Sequence, residues 1–298
     1  VPGTNTLYVG AISGGLWRSD NRGDNWTQVK SFPNLVIGSV AVAGNGDLYV
    51  GTGSYFDFNN GNGDSGGRGR GIYYSNDGGV SWSAVTLATG GSTIETAQGE
   101  PDYSWNATDG LAPDPDEPNK VWCASVKGFG SLVDGVFTGL PNGVNVNAAT
   151  DVAIAPDGSY CLVATTGGAV YRSVGEDFTD LESISQGLGT NGMLPTSGIS
   201  RARVGIAQTE VNEGDGYNGF ALYATSNSLF RGLYYSGQSG EEGTWDEIWP
   251  GEIQTATPLP YGQGFYDLAL GVSMANPTLA YVGGVELWRS GFNQQAEQ

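Results

Sequence analysis

The chain has 298 residues, with 12 Lys+Arg against 31 Asp+Glu, a formal net charge of −19, and no histidine. The missing imidazole excludes Ser-His-Asp and Cys-His nucleophilic catalysis and every histidine-ligated metal site. The acidic field argues against nucleic acid, or an anionic membrane surface, as the main partner.

Taken from the N-terminus, the chain opens VPGTNTLYVG, without Met or a hydrophobic leader, and reads as a processed or trimmed product. No run of about 18 apolar residues follows, so no membrane insertion by a helix is expected. The 50 glycines, with 8 Trp, 15 Tyr and 10 Phe, instead describe a folded β chain with many tight turns. One unit recurs along it: a strand, a Gly-rich bend, a second strand ending in Arg or Tyr and Ser, then a turn and an aromatic. It stands at 7–26 (LYVGAISGGLWRSDNRGDNW) and, split by an insertion, at LYVGTG and GIYYSNDGGVSW (71–82). Weaker copies lie at 161–178, 222–245 and 280–290. Ahead of several copies runs an apolar hairpin closed by a short polar turn, at 39–50, 111–122, 151–163 and 270–282.

A period of about 40–50 residues with four strands predicts an all-β propeller of about six to seven four-stranded blades, with a ring left incomplete in this chain as one reading. The blades are expected near 5–29, 37–88, 102–140, 146–184, 197–249 and 264–291. The first lacks an innermost strand and the last lacks an outermost one, so the reading is one propeller domain within a longer protein, or six blades with two short. Cys123 and Cys161 sit in apolar strand-like segments (VWCASV, YCLVAT) and read as buried free thiols. A disulfide is the competing reading in an exported protein.

Ser75, Asp77, Gly79 and Trp82 fill every fixed place of the pattern Ser-x-Asp-x-Gly-x-x-Trp, and Ser19, Asn21, Gly23 and Trp26 fill it with Asn for Asp. This resembles the Asp-box, or bacterial neuraminidase repeat, of the sialidase and sortilin-like propeller superfamily. The resemblance implies a structural role. The acid or amide accepts backbone N–H bonds across the turn, Gly supplies positive φ and Trp packs between blades. The segments 10–26 and 262–290 further resemble blades of exported Bacteroidetes proteins of the type IX secretion class. That implies an extracellular or cell-surface location, further domains in the parent chain, and a recognition or adhesion role toward a glycan or a surface protein.

The sialidase clamp of three arginines is not matched: no Arg-Ile-Pro occurs, and Arg18, Arg172 and Arg289 each precede the same repeat Ser. Arg201 and Arg203 enter an innermost strand, and Arg203 is a candidate ligand contact. The alternative to a binding module is a polysaccharide-degrading glycoside hydrolase. Such an enzyme needs two carboxylates across a cleft, and Glu100, Asp102 and Asp267 are the loop candidates. Tyr103, Trp105, Tyr261, Phe265 and Tyr266 lie near them in sequence and are of the type that stacks on sugar rings. If Ca2+ binds anywhere, the insertion 55–71 offers Asp57, Asn59, Asn60, Asn62 and Asp64 between glycines, although Arg68 and Arg70 compete for the acids.

Overall fold

The computed structural model describes residues 1–55, 67, 69–90, 105, 107–139, 148–175, 177–187, 191–225, 229–250, 264, 268–284 and 287–291. Their elements are 23 β-strands in six sheets, and the chain is an all-β, six-bladed propeller. The chain divides into two units, Val1–Thr150 and Asp151–Gln298.

In the first unit, β1 (Leu7–Ala11), β2 (Gly15–Ser19) and β3 (Thr27–Gln28) form a three-stranded sheet. β4 (Ile37–Val42), β5 (Leu48–Thr52), β6 (Ile72–Ser75) and β7 (Ser83–Ala84) form the second. β8 (Thr86–Leu87), β9 (Thr108–Pro113), β10 (Lys120–Ser125), β11 (Gly128–Val133) and β12 (Val136–Gly139) form the third, in the order β8-β12-β11-β10-β9. The tetrapeptide Leu-Tyr-Val-Gly occurs in both β1 and β5, so β1 holds a second-strand place. Among the described residues no strand pairs with its other edge. The boundary expected at 88 shifts, because β8 leaves the second blade and pairs parallel with β12. Thr86 N–H donates to Gly135 O (3.0 Å) and Ala88 N–H to Phe137 O (2.9 Å), which occupies the outer edge of the third sheet.

In the second unit, β13 (Ala149–Ile154), β14 (Tyr160–Thr165), β15 (Val170–Val174) and β16 (Glu182–Ser183) form one sheet; β13 starts in the last residues of the first unit. β17 (Ile199–Ile206), β18 (Gly219–Thr225), β19 (Phe230–Ser236) and β20 (Trp245–Pro250) form the next. β21 (Ala269–Val272), β22 (Leu279–Gly283) and β23 (Leu287–Gly291) form the last.

Short polar side chains build the turn after each first strand. Asp47 N–H donates to Asn45 Oδ1 (3.0 Å), Ser159 N–H to Asp157 Oδ1 (3.0 Å), and the Asp116 and Glu117 N–H groups to Asp114 Oδ1 (2.9 and 2.8 Å). β5, β10 and β14 are buried along their whole length, because each is covered on both sides. Packing between successive sheets supplies the cores. Leu16, Ile37, Val50 and Tyr73 join the first two sheets, and Tyr160, Leu162, Tyr223 and Trp245 join two in the second unit. Each aliphatic side chain among them contributes about 1.5–3 kcal/mol on burial. Where sheets approach most closely the chain uses glycine: a Cβ on Gly38 would lie 2.1 Å from Gly53 O and 2.6 Å from Thr108 O. Cys123 and Cys161 are free and buried, and burial pushes both thiols far up. No helix of the described residues is long and apolar enough to cross a membrane.

Candidate functional site

The two Ser-x-Asp/Asn turns fold through the same local bonds. Ser19 Oγ donates to Asn21 Oδ1 (2.9 Å), while Gly23 N–H donates to Ser19 Oγ (2.8 Å) and Asn25 N–H to Asn21 Oδ1 (2.9 Å). Ser75, Asp77, Gly79 and Ser81 repeat this set at 2.8, 2.9 and 2.9 Å. Gly23 (φ 97°) and Gly79 (φ 83°) hold the left-handed backbone that the turn requires. Trp82 lies edge-on to Phe32 at 4.8 Å and donates to Ser31 Oγ, so it packs between the first two blades. Trp26, in the matching place, is 38% exposed.

Asp77 spends its carboxylate on the turn. The Ser81 hydroxyl, then its backbone N–H, then Ser75 hold its pKa down to about 2. A folded pKa below the ordinary carboxylate value adds stability that is present above pH ~4 and lost as the pH falls through about 2. Asp77→Asn should keep the fold, as Asn21 does in its sister turn. In acid melting series the variant should lose less stability than wild type between those pH values.

These turns are held from outside as well. Tyr8 and Arg18, opposite each other on β1 and β2, both donate to Gly78 O in the next blade (2.9 and 3.3 Å). Tyr49 and Tyr74 are likewise paired across β5 and β6. Tyr49 OH accepts from Gly135 N–H (3.1 Å), and the Tyr74 ring lies under Gly135. In the second unit Leu162 and Arg172 are the cross-strand pair, and Arg172 Nε donates to Ser239 O (2.8 Å). The structural role expected for Arg18 and Arg172 is thus to hold the following blade's turn between its third and fourth strands.

A second set of contacts runs along the first strands of the blades in the second unit. Arg203 on β17 faces Asp151 on β13, Nη1 to Oδ1 at 3.5 Å, and its Nε donates to Leu268 O (3.1 Å). Asp151 Oδ2 accepts from Val204 N–H (3.0 Å), and Arg201, 2% exposed, donates to Gly264 O (3.5 Å). Burial raises the Asp151 carboxyl above its ordinary range against the opposing pull of Arg203 and the Val204 N–H. The two side chains keep 20% and 17% exposure, so an acceptor and a donor stand side by side within reach of solvent. In the first unit Ser39 holds the equivalent place, and its hydroxyl donates to Thr108 O (2.8 Å).

Asp151 was not singled out from sequence, yet the signal is there. Ala155 N–H and Ala207 N–H close matching hairpins onto Tyr160 O and Asn218 O, so Asp151 and Arg203, each four residues earlier, hold one repeat position in successive blades. Opposite charges at one repeat position pair across the blade boundary. Arg203 therefore serves first as a link between blades. Trp105 is half-buried, edge-to-face with Phe137 at 5.0 Å and packed on the core of the second and third blades. Glu100, Asp102, Tyr103, Tyr266 and Asp267 lie outside the described residues, as do Asp57, Asn59 and Asp64 of the calcium reading. Among the described residues no three Cys, Asp or Glu side chains converge as metal ligands.

No family model matches the chain, and no curated protein matches it. Among solved structures it is similar to an auxiliary nutrient-binding protein from Bacteroides ovatus, at 14% identity and a TM-score of 0.54, over 97% of this chain and 67% of that one. At that identity the likeness is one of fold. A GH74 xyloglucanase from Xanthomonas campestris (16% identity, TM-score 0.44, 97% of this chain and 35% of that one) is a more distant match in shape. So is YCF48 bound to a D1 peptide (13%, TM-score 0.47, 99% and 77%). The chain spans about a third of the xyloglucanase's length.

Proposed function

We propose that this chain is the recognition propeller of an exported, cell-surface protein, and that it binds a neutral glycan without cleaving it. The observation that carries this is the employment, among the described residues, of three buried carboxylates and one half-buried one. Asp47 accepts from Tyr74 OH (2.7 Å), Asp109 from Tyr55 N–H (3.0 Å), Asp114 from Trp122 Nε1 (2.7 Å), and Asp151 pairs with Arg203. A glycosidase keeps one acid protonated and a second ionised across a cleft; these four are each engaged in holding turns or blades. The net charge of −19 disfavours polyanionic ligands and leaves neutral sugars as the compatible class. The nutrient-binding protein of similar fold and the Asp-box resemblance support surface recognition.

One experiment tests both halves: a glycan array, followed by reducing-end assays on every glycan bound. Binding to a neutral oligosaccharide with no reducing ends released is the expected result. Released reducing ends that vanish in Glu100→Gln, Asp102→Asn or Asp267→Asn would replace this reading with a glycoside hydrolase. Binding confined to sulfated or uronic glycans would overturn the ligand class.

A further inference from the structure

One repeat position lies four residues before the N–H that closes the hairpin after each first strand. Ser39, Gly110, Asp151 and Arg203 fill it in the second to fifth blades. Gly110 brings no side chain to this place, so blade packing does not require one there. Ser39 makes its link with a neutral hydroxyl on Thr108 O (2.8 Å). In the second unit two charged groups, Asp151 and Arg203, stand there in successive blades, and drawing charges partly out of water costs more than either alternative. Their own contact recovers little of that cost. Nη1 and Oδ1 are 3.5 Å apart, beyond the range of about 2.7–2.9 Å for a charge-assisted hydrogen bond. Main-chain groups fix each side chain instead: Asp151 Oδ2 accepts from Val204 N–H (3.0 Å), and Arg203 Nε donates to Leu268 O (3.1 Å). An acceptor and a donor are thereby held at set positions, with 17% and 20% of their side chains exposed. Polar groups pre-organised in this way are what orient a small ligand.

We propose that Asp151 and Arg203 form a subsite for two adjacent hydroxyls of a neutral sugar ring. One hydroxyl donates to Asp151 Oδ1 and its neighbour accepts from Arg203 Nη1. Vicinal ring hydroxyls are close enough together to touch both groups at once, and neither residue has to leave its main-chain partner. The carboxylate also sets the ligand class. A sulfate or uronate placed there would bring like charge onto Asp151, whereas a hydroxyl can donate to it. The subsite rests on the glycan reading above and gives that reading its residues.

The probes are the methyl glycosides of glucose, galactose and mannose and their monodeoxy derivatives. Each is titrated into the chain by NMR while the Arg203 Nε–H resonance, assigned by its loss in Arg203→Lys, is followed. At least one glycoside should shift that resonance, and removing either of two adjacent hydroxyls should weaken its binding about tenfold or more, the range for a hydrogen bond to a charged group. Asp151→Asn, which keeps an acceptor for Val204 N–H, should weaken the parent glycoside by a similar factor. It should leave unchanged the deoxy derivative that lacks the hydroxyl facing Asp151, a pattern that a merely structural role would not produce. Arg203→Lys, which keeps the charge opposite Asp151, takes the place of Asp151→Asn if the latter melts early. Equal losses for the parent and every deoxy derivative overturn the subsite. So does a glycan bound on the array while the Arg203 resonance stays unmoved and both variants bind as wild type; the glycan reading then stands without it. No glycoside and no arrayed glycan bound overturns both.

Discussion

Asp114→Ala is expected to lower the unfolding free energy by ~3–5 kcal/mol, the range for breaking a buried ion pair from one side. Asp114 and Lys120 close the hairpin of the third blade, 3.5 Å apart, with side chains 5% and 6% exposed. The other bonds to Asp114 are the Trp122 indole N–H (2.7 Å) and the two backbone N–H groups of its turn. Lys120 also lies 4.6 Å over the Trp122 ring. Alanine would leave three donors unpaired at once and the buried ammonium with Glu117 alone (2.7 Å). Asp114→Asn, which keeps acceptors but not charge, should fall between the two. Glu117→Gln, which keeps an acceptor for Lys120 and leaves Asp114 in place, should cost less than Asp114→Ala. Equilibrium denaturation of the three variants checks the order, and equal losses for Asp114→Ala and Glu117→Gln would show that the buried pair contributes nothing special.

The same cluster has a pH signature. Burial works against the Lys120 charge, but Glu117 and Asp114 outweigh it and hold the pKa above its ordinary value. A lysine raised in the folded state contributes stability that is fully present below about pH 10, the unfolded value, and is lost as the pH climbs through the folded one. The alkaline limb of wild-type stability should therefore be steeper than that of Lys120→Met.

Trp245→Ala carries the second large effect, a loss of ~3–5 kcal/mol typical of a fully buried Trp. The indole is 1% exposed in the core that joins Tyr160, Leu162, Tyr223 and Tyr234. Its ring packs tightly on Gly219, where a Cβ would come within 3.1 Å of it. Trp245 also ends the turn that Arg172 holds through Ser239. Trp245→Phe should restore about half of the loss by refilling most of the cavity. The pair is measured by denaturant midpoint at unchanged m-value. A Trp245→Ala variant within 1 kcal/mol of wild type would mean that the surrounding sheets collapse onto the cavity.

The features legible in the sequence were those a few neighbouring residues determine among themselves. The Ser-x-Asp/Asn turns are such a case: bonds from Ser75 and Asp77 reach no further than Ser81, so the residue types alone specify the geometry. The Asn45–Asp47 and Asp157–Ser159 turns and the apolar second strands were equally plain, and Cys123 and Cys161 were readable as buried thiols because both lie in such strands. Tertiary structure decided everything that depends on how one sheet lies against the next. Asp151 finds Arg203 fifty-odd residues away only because two first strands come alongside, and Thr86–Leu87 joins the third sheet because Gly135 and Phe137 offer carbonyls there. Identical tetrapeptides show the division most clearly. Leu-Tyr-Val-Gly writes the same strand at 7–10 and 48–51, yet Val50 is buried and Val9 is not. Strand formation is a property of the segment, whereas burial is a property of the surface that happens to cover it.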